Sequence, residues 1–200
     1  MPEPDVKPIP CFDPIVESSW GLGWRWGEIP ANTPHETSTM KQALLVIDIQ
    51  PCFNPPAWQV EGISRLAPTL HSVATVERHD ESVTPFERQL GWKPAPADAP
   101  LVQTDKLFVK HGYLPPPELI VYLRSMGVER VLVCGIQADT CCLAAGFMLF
   151  DAGLHPTMLK WLTVGSSLDR SGNLGAKLWK HHFGAASVLH SSEALQNGST

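Results

Sequence analysis

The chain predicts an α/β fold, a three-layer sandwich built on a parallel six-stranded sheet. Three observations carry that expectation. Apolar runs of strand length recur across residues 42–190, stretches of helical periodicity alternate with them, and glycines and prolines mark the junctions. Alternation of this kind implies right-handed crossovers, with helices covering both faces of the sheet.

The first strand is QALLVIDI (Gln42 to Ile49), a continuous apolar run suited to a central strand buried on both faces. Residues 59–70 read as a helix, HSVATVE (His71 to Glu77) as the second strand, and DKLFVK (Asp105 to Lys110) as the third. PPELIVYLRSMG begins with prolines suited to a helix start and closes on Gly127. ERVLVCG supplies the fourth strand, and an apolar helix follows from Cys141 to Ala152. HPTMLKW is the fifth strand, SGNLGAKLWKHHFG another helix, and ASVLH the sixth strand.

Residues 1–40 differ in kind. Seven prolines and no lasting periodicity predict a largely irregular arm, with the α/β domain occupying 41–200. Trp20, Trp24 and Trp26 are too apolar to leave in water, so the arm is expected to pack on the domain or on another subunit. Met40 could serve as an alternative start.

Composition excludes several function classes. A net charge of −5 and a pI near 5.9 give no electrostatic reason to expect nucleic acid. No apolar run approaches the roughly 18 residues of a membrane span, and the N-terminus does not read as a secretory signal. Five cysteines without metal spacing fit free thiols in a reducing cytoplasm.

In parallel sheets of this type ligands bind beyond the carboxyl ends of the strands, near the point where strand order reverses. Asp48, Glu77, Lys110 and the loop after Cys134 occupy those ends. Asp48 is either a partly desolvated acid awaiting a cation or a helix cap or structural ion pair. Lys110 is either that cation, placed to act on a nearby thiol, or a lysine emerging into solvent. Gly112 marks a sharp exit from the strand, and His111 suits the surface. Cys141 sits at a strand–loop–helix junction, where the helix dipole and unpaired amides are expected to lower a thiol's pKa. That is a sensible mount for a nucleophile. Cys134 and Cys142 read as packing residues.

Three segments now stand in order: ALLVIDIQ with Asp48, KHGY with Lys110, and CGIQADTCCLAAGFMLFDAG with Cys141. Together they resemble the isochorismatase-like cysteine hydrolases, which include nicotinamidases, carbamoylsarcosine amidases and isochorismatases. The resemblance spans about residues 42–190 and implies a Rossmann-like sheet carrying a Cys–Asp–Lys triad. By that resemblance Asp48 takes the thiol proton and Cys141 attacks a carbonyl to give a thioester. A cis peptide would fall at Ile136–Gln137, and the amides of Gln137 and Cys141 would form the oxyanion hole.

Two positions depart from the family pattern: Ala138, where threonine is common, and Cys142, where an aliphatic residue is common. The nicotinamidase metal motif Asp-x-His-x-x-His is missing after the second strand, where ERHDESVTPFERQL offers only His79. No metal or other cofactor is therefore expected. His181 and His182 are adjacent near a helix end and do not face one ligand together.

Phe53, Trp58, Phe86, Trp92 and Tyr113 are candidates for a pocket wall, with core packing as the alternative for each. Arg88 is a candidate partner for a substrate carboxylate or a solvated arginine. The expected partner is a small molecule, with no nucleic acid and no membrane, and the resemblance implies a homo-oligomer, dimer or larger. Cleavage of an amide-like C–N bond leads. Vinyl-ether hydrolysis, which needs the acid but not the cysteine, is the alternative chemistry. A catalytically silent binding protein on the same scaffold is a third reading, and a redox pair at Cys141–Cys142 comes last.

Overall fold

The structure is a computed structural model and describes residues 40–94 and 99–196. Residues 1–39 of the N-terminal arm, with its three tryptophans, lie outside the described residues. Among the described residues no helix is long and apolar enough to cross a membrane.

Six strands form one parallel sheet: β1 (Gln42–Ile47), β2 (His71–Glu77), β3 (Lys106–Lys110), β4 (Arg130–Ile136), β5 (His155–Val164) and β6 (Val188–Leu189). Their spatial order is β3-β2-β1-β4-β5-β6. Chain progression runs outward in both directions from β1, so strand order reverses between β1 and β4. The principal helices are α1 (Ala57–Leu66), α2 (Phe86–Leu90), α3 (Glu118–Ser125), α4 (Cys141–Asp151) and α5 (Asn173–Phe183), with a short α6 (Glu193–Gln196) at the end.

The unbroken apolar run of β1 is explained by burial on both faces. Ala43, Leu45 and Ile47 pack with Leu119 and Leu123 of α3, Cys142, Ala145 and Leu149 of α4, and Trp179 of α5. Leu44 and Val46 pack on the opposite face with Ile63 of α1, Val102 and Leu162. Successive strand residues point to opposite sides, so one segment supplies both cores. A fully buried Val, Leu or Ile contributes about 1.5–3 kcal/mol, and β1 alone buries four such side chains.

β5 is longer than expected because it is irregular. Its register against β4 jumps between Val133 and Gly135, from Val133↔Met158 to Gly135↔Thr163. Gln59, reaching in from α1 and fully buried, closes the irregularity by donating to Gly135 O and Leu162 O, each at 2.9 Å. β6 is only two residues long, with much of the expected ASVLH strand taken by a single 3-10 turn over Ala185–Ser187.

Gly135 is required where β4 approaches β1. Its φ is +122°, and a Cβ there would stand 2.1 Å from Ile47 O. That approach brings the ends of β1 and β4 together at the reversal of strand order, where a ligand site is expected.

Candidate active site

Four strand ends converge on one ammonium group. Asp48 follows β1 in a left-handed conformation with φ of +50°, an uncommon state for a non-glycine residue that here turns the chain sharply at the strand end. Its Oδ1 accepts a hydrogen bond from Thr75 Oγ1 at 2.8 Å, and its Oδ2 lies 2.8 Å from Lys110 Nζ. Lys110 ends β3 and donates to Glu77 Oε2 at 2.6 Å, to Gly112 O at 2.6 Å and to Cys141 Sγ at 3.5 Å. Asp48, Glu77 and Lys110 are all buried.

An ammonium has three protons. Glu77, the Gly112 carbonyl, the Cys141 sulfur and Asp48 Oδ2 offer four acceptors to those three, and the two carboxylate contacts, at 2.6 and 2.8 Å, are ion pairs. Burial works against the lysine cation, yet the Asp48 and Glu77 carboxylates beside it outweigh burial and hold Lys110 above its ordinary range. Lys110 therefore stays charged. Burial also pushes the Glu77 carboxyl up, against the pull of Lys110.

Cys141 opens α4 directly after a turn in which the Thr140 and Cys142 amides donate to Gln137 O at 3.1 and 3.0 Å. The Ile136–Gln137 peptide is cis. Asp139 ties this loop to the end of β5 by accepting from the Ser166 amide at 2.8 Å and its hydroxyl at 2.6 Å. Ala138 lies against Gly175, where a Cβ would meet the Ala138 carbonyl carbon at 2.5 Å. A small residue at 138 suits that close contact.

The lowered thiol pKa expected from the helix terminus is corrected here. Burial pushes the Cys141 thiol up to about 12, and Lys110 offsets only part of it. Removal from water outweighs the favourable charge nearby, so the resting group is a thiol, not a thiolate. Cys134 and Cys142 are fully buried in the two cores.

The four groups sit in a cleft of about 480 Å³. Phe53, Phe86, Trp92 and Tyr113 line it, and they contact one another: Phe86 meets Tyr113 edge-on at 5.2 Å and Trp92 at 6.1 Å, and Phe53 lies 6.3 Å from Trp92. Gln137, Thr140, Ser166 and Ser167 form a polar margin. Trp58 is a correction. Set in the first turn of α1, it is half exposed and lines a separate depression with Arg65 and Trp161. Arg88 is exposed on α2 and does not line the cleft. His111 is exposed as expected, its Nδ1 2.7 Å from Arg78 O.

Glu77 joins the cluster although the sequence gives it no part there. It stands at the end of β2, and a glutamate closing a strand short enough and apolar enough at Val73, Ala74 and Val76 to be buried was the available signal. Gln50 was missed as well. It clamps the Glu77 backbone, donating to Glu77 O at 3.2 Å and accepting from Glu77 N at 2.7 Å.

The isochorismatase domain family model matches residues 42–184, and the chain belongs to this family of hydrolases. Solved structures share its fold. One is PnC1 from L. infantum in complex with nicotinate, at 21% identity and a TM-score of 0.62, covering 78% of this chain and 96% of that one. Another is the pyrazinamidase of Pyrococcus horikoshii in complex with zinc, at 19% identity and 0.61, covering 74% and 97%. A third is an isochorismatase-like hydrolase from Alkaliphilus metalliredigens, at 16% identity and 0.61, covering 79% and 96%. No curated protein matches the chain.

Glu77 is engaged by Lys110, and the His79 ring faces Glu81 at 3.0 Å and Phe86 at 6.0 Å. Among the described residues no three His, Cys, Asp or Glu side chains are grouped to hold a metal ion.

Proposed function

We propose that the chain hydrolyses a small amide-like C–N bond through a Cys141–Asp48–Lys110 triad. The observation that carries this reading is the position of Lys110 Nζ, 2.8 Å from Asp48 Oδ2 and 3.5 Å from Cys141 Sγ at the floor of one cleft. Because the resting sulfur is a neutral thiol, the reaction begins with base-assisted attack. Asp48, a carboxylate with more lone pairs than its neighbours use, takes the thiol proton as Sγ adds to the substrate carbonyl. Lys110 offsets the negative charge throughout. The amides of Gln137 and Cys141 receive the developing oxyanion.

Asp48 then returns its proton to the leaving nitrogen, the C–N bond breaks, and an acyl thioester remains on Cys141. Water attacks the thioester with Asp48 again as base, releasing the acid and restoring the thiol. The cleft's aromatic lining suits a flat or cyclic substrate.

A panel of carboxamides assayed for ammonia release tests this reading. Cys141→Ala and Asp48→Asn should each lower turnover by a factor of at least about a thousand. Turnover that survives Cys141→Ala but not Asp48→Asn would exclude the thioester route and favour vinyl-ether chemistry.

A further inference from the structure

Glu77 has one oxygen more than its ion pair uses. Oε2 lies 2.6 Å from Lys110 Nζ, whereas Oε1 is buried and has no hydrogen-bond partner. The side chain is held in place, because Gln50 fixes its backbone on both the amide and carbonyl sides. A buried carboxylate oxygen left unsatisfied is costly, and sites that retain one commonly use it for a ligand. Glu77 lines the same cleft as Cys141.

The charge balance of the cleft points the same way. Among its described lining residues Asp48 and Glu77 are acidic, and Lys110 is the one lysine or arginine, already committed to both. The arginine that seemed suited to a substrate carboxylate, Arg88, lies elsewhere on the surface. Phe53, Phe86, Trp92 and Tyr113 offer rings and no positive charge.

Building on the amidase reading above, we propose that Glu77 is a substrate-binding residue whose Oε1 accepts an N–H of the substrate, so that the cleft selects neutral or cationic N–H-bearing amides over amides that carry a carboxylate. Glu77 thereby has two attachments, one to Lys110 and one to the ligand. Glu77→Gln would keep an oxygen for Lys110 and turn an amide donor toward the ligand, opposing an N–H and tolerating an acceptor.

Equilibrium binding to the Cys141→Ala protein tests this without turnover. The probes are benzamide, N,N-dimethylbenzamide, para-carboxybenzamide and para-aminomethylbenzamide, followed by calorimetry or ligand-observed NMR. Benzamide and its aminomethyl derivative should bind at least about tenfold tighter than the dimethyl and carboxy compounds. Adding Glu77→Gln should shrink both gaps several-fold, with thermal unfolding used to confirm that the variant folds.

Para-carboxybenzamide binding as well as benzamide, an unchanged order in Glu77→Gln, or no binding by any probe would each overturn the proposal. Should Glu77→Gln fail to fold, the order measured with glutamate present still decides. The two readings fail separately. A wild-type protein that binds in the expected order yet releases no ammonia upholds Glu77 and sinks the amidase.

Discussion

Lys110 Nζ stands 2.8 Å from Asp48 Oδ2 and 2.6 Å from Glu77 Oε2, so one buried ammonium lies between two buried carboxylates. The Gly112 carbonyl, at 2.6 Å, and Cys141 Sγ, at 3.5 Å, complete the surroundings of the ammonium. Asp48 is thus held beside a compensating cation, with its Oδ1 on the Thr75 hydroxyl.

Removing Lys110 should expose how much the arrangement depends on it. Lys110→Met leaves two buried carboxylates without a cation, and breaking a buried pair in this way costs about 3–5 kcal/mol. Adding Glu77→Gln removes one of the stranded charges and should recover part of that loss. Urea unfolding of the single and double variants measures the coupling. Losses that simply add would mean that Glu77 and Lys110 do not act as a pair.

The Cys141 thiol, held at about 12 by burial, sets the pH response of the free protein. Alkylation by iodoacetamide should be slow at pH 7 and rise about tenfold per pH unit up to pH 10, since only the thiolate reacts. Peptide mapping separates Cys141 from the half-buried Cys52, and Cys134 should stay unlabelled. A rate plateau below pH 8 at Cys141 would contradict the neutral resting thiol.

Alkali should destabilise the fold through its buried thiols. Burial raises both Cys134 and Cys142 above the ordinary value of 9.0, so the folded chain keeps protons that the unfolded chain releases. The unfolded state binds fewer protons above that value, and stability falls as pH rises. Each such thiol adds a slope of about 1.4 kcal/mol per pH unit. Chemical unfolding between pH 8.5 and 10.5 should show this decline, and Cys134→Ala should reduce its steepness by one thiol's share. An unchanged slope in that variant would show that Cys134 does not titrate on unfolding.

The sheet was legible because its strands are buried on both faces, and such strands leave long apolar runs such as Leu44 to Ile47. Asp48, Lys110 and Cys141 were legible for the same reason, being polar or nucleophilic residues at the ends of those runs. Periodicity could not show that Lys110 has more acceptors than protons, nor that Glu77 shares it. Those facts depend on side chains meeting across β2 and β3. The direction of the Cys141 pKa was misread because a helix terminus is visible in sequence, whereas the depth at which it is buried is not. Trp58 was misplaced because proximity in sequence to Asp48 says nothing about which side of α1 faces the cleft.

The reversal of strand order between β1 and β4 also has a consequence for folding. Asp48, Glu77 and Lys110 belong to β1–β3 and their adjoining turns, while Cys141 follows β4, and residue 42 must find residue 130 before the two parts meet. Pairing over such a distance in the chain is expected to come late, because loop closure is costly until its contacts form. A chain still emerging during synthesis can therefore bring Asp48 and Lys110 together before it possesses Cys141. The Lys110–Cys141 contact reports completion of the central sheet, and an assay that follows the nucleophile during refolding would time the joining of β1 to β4.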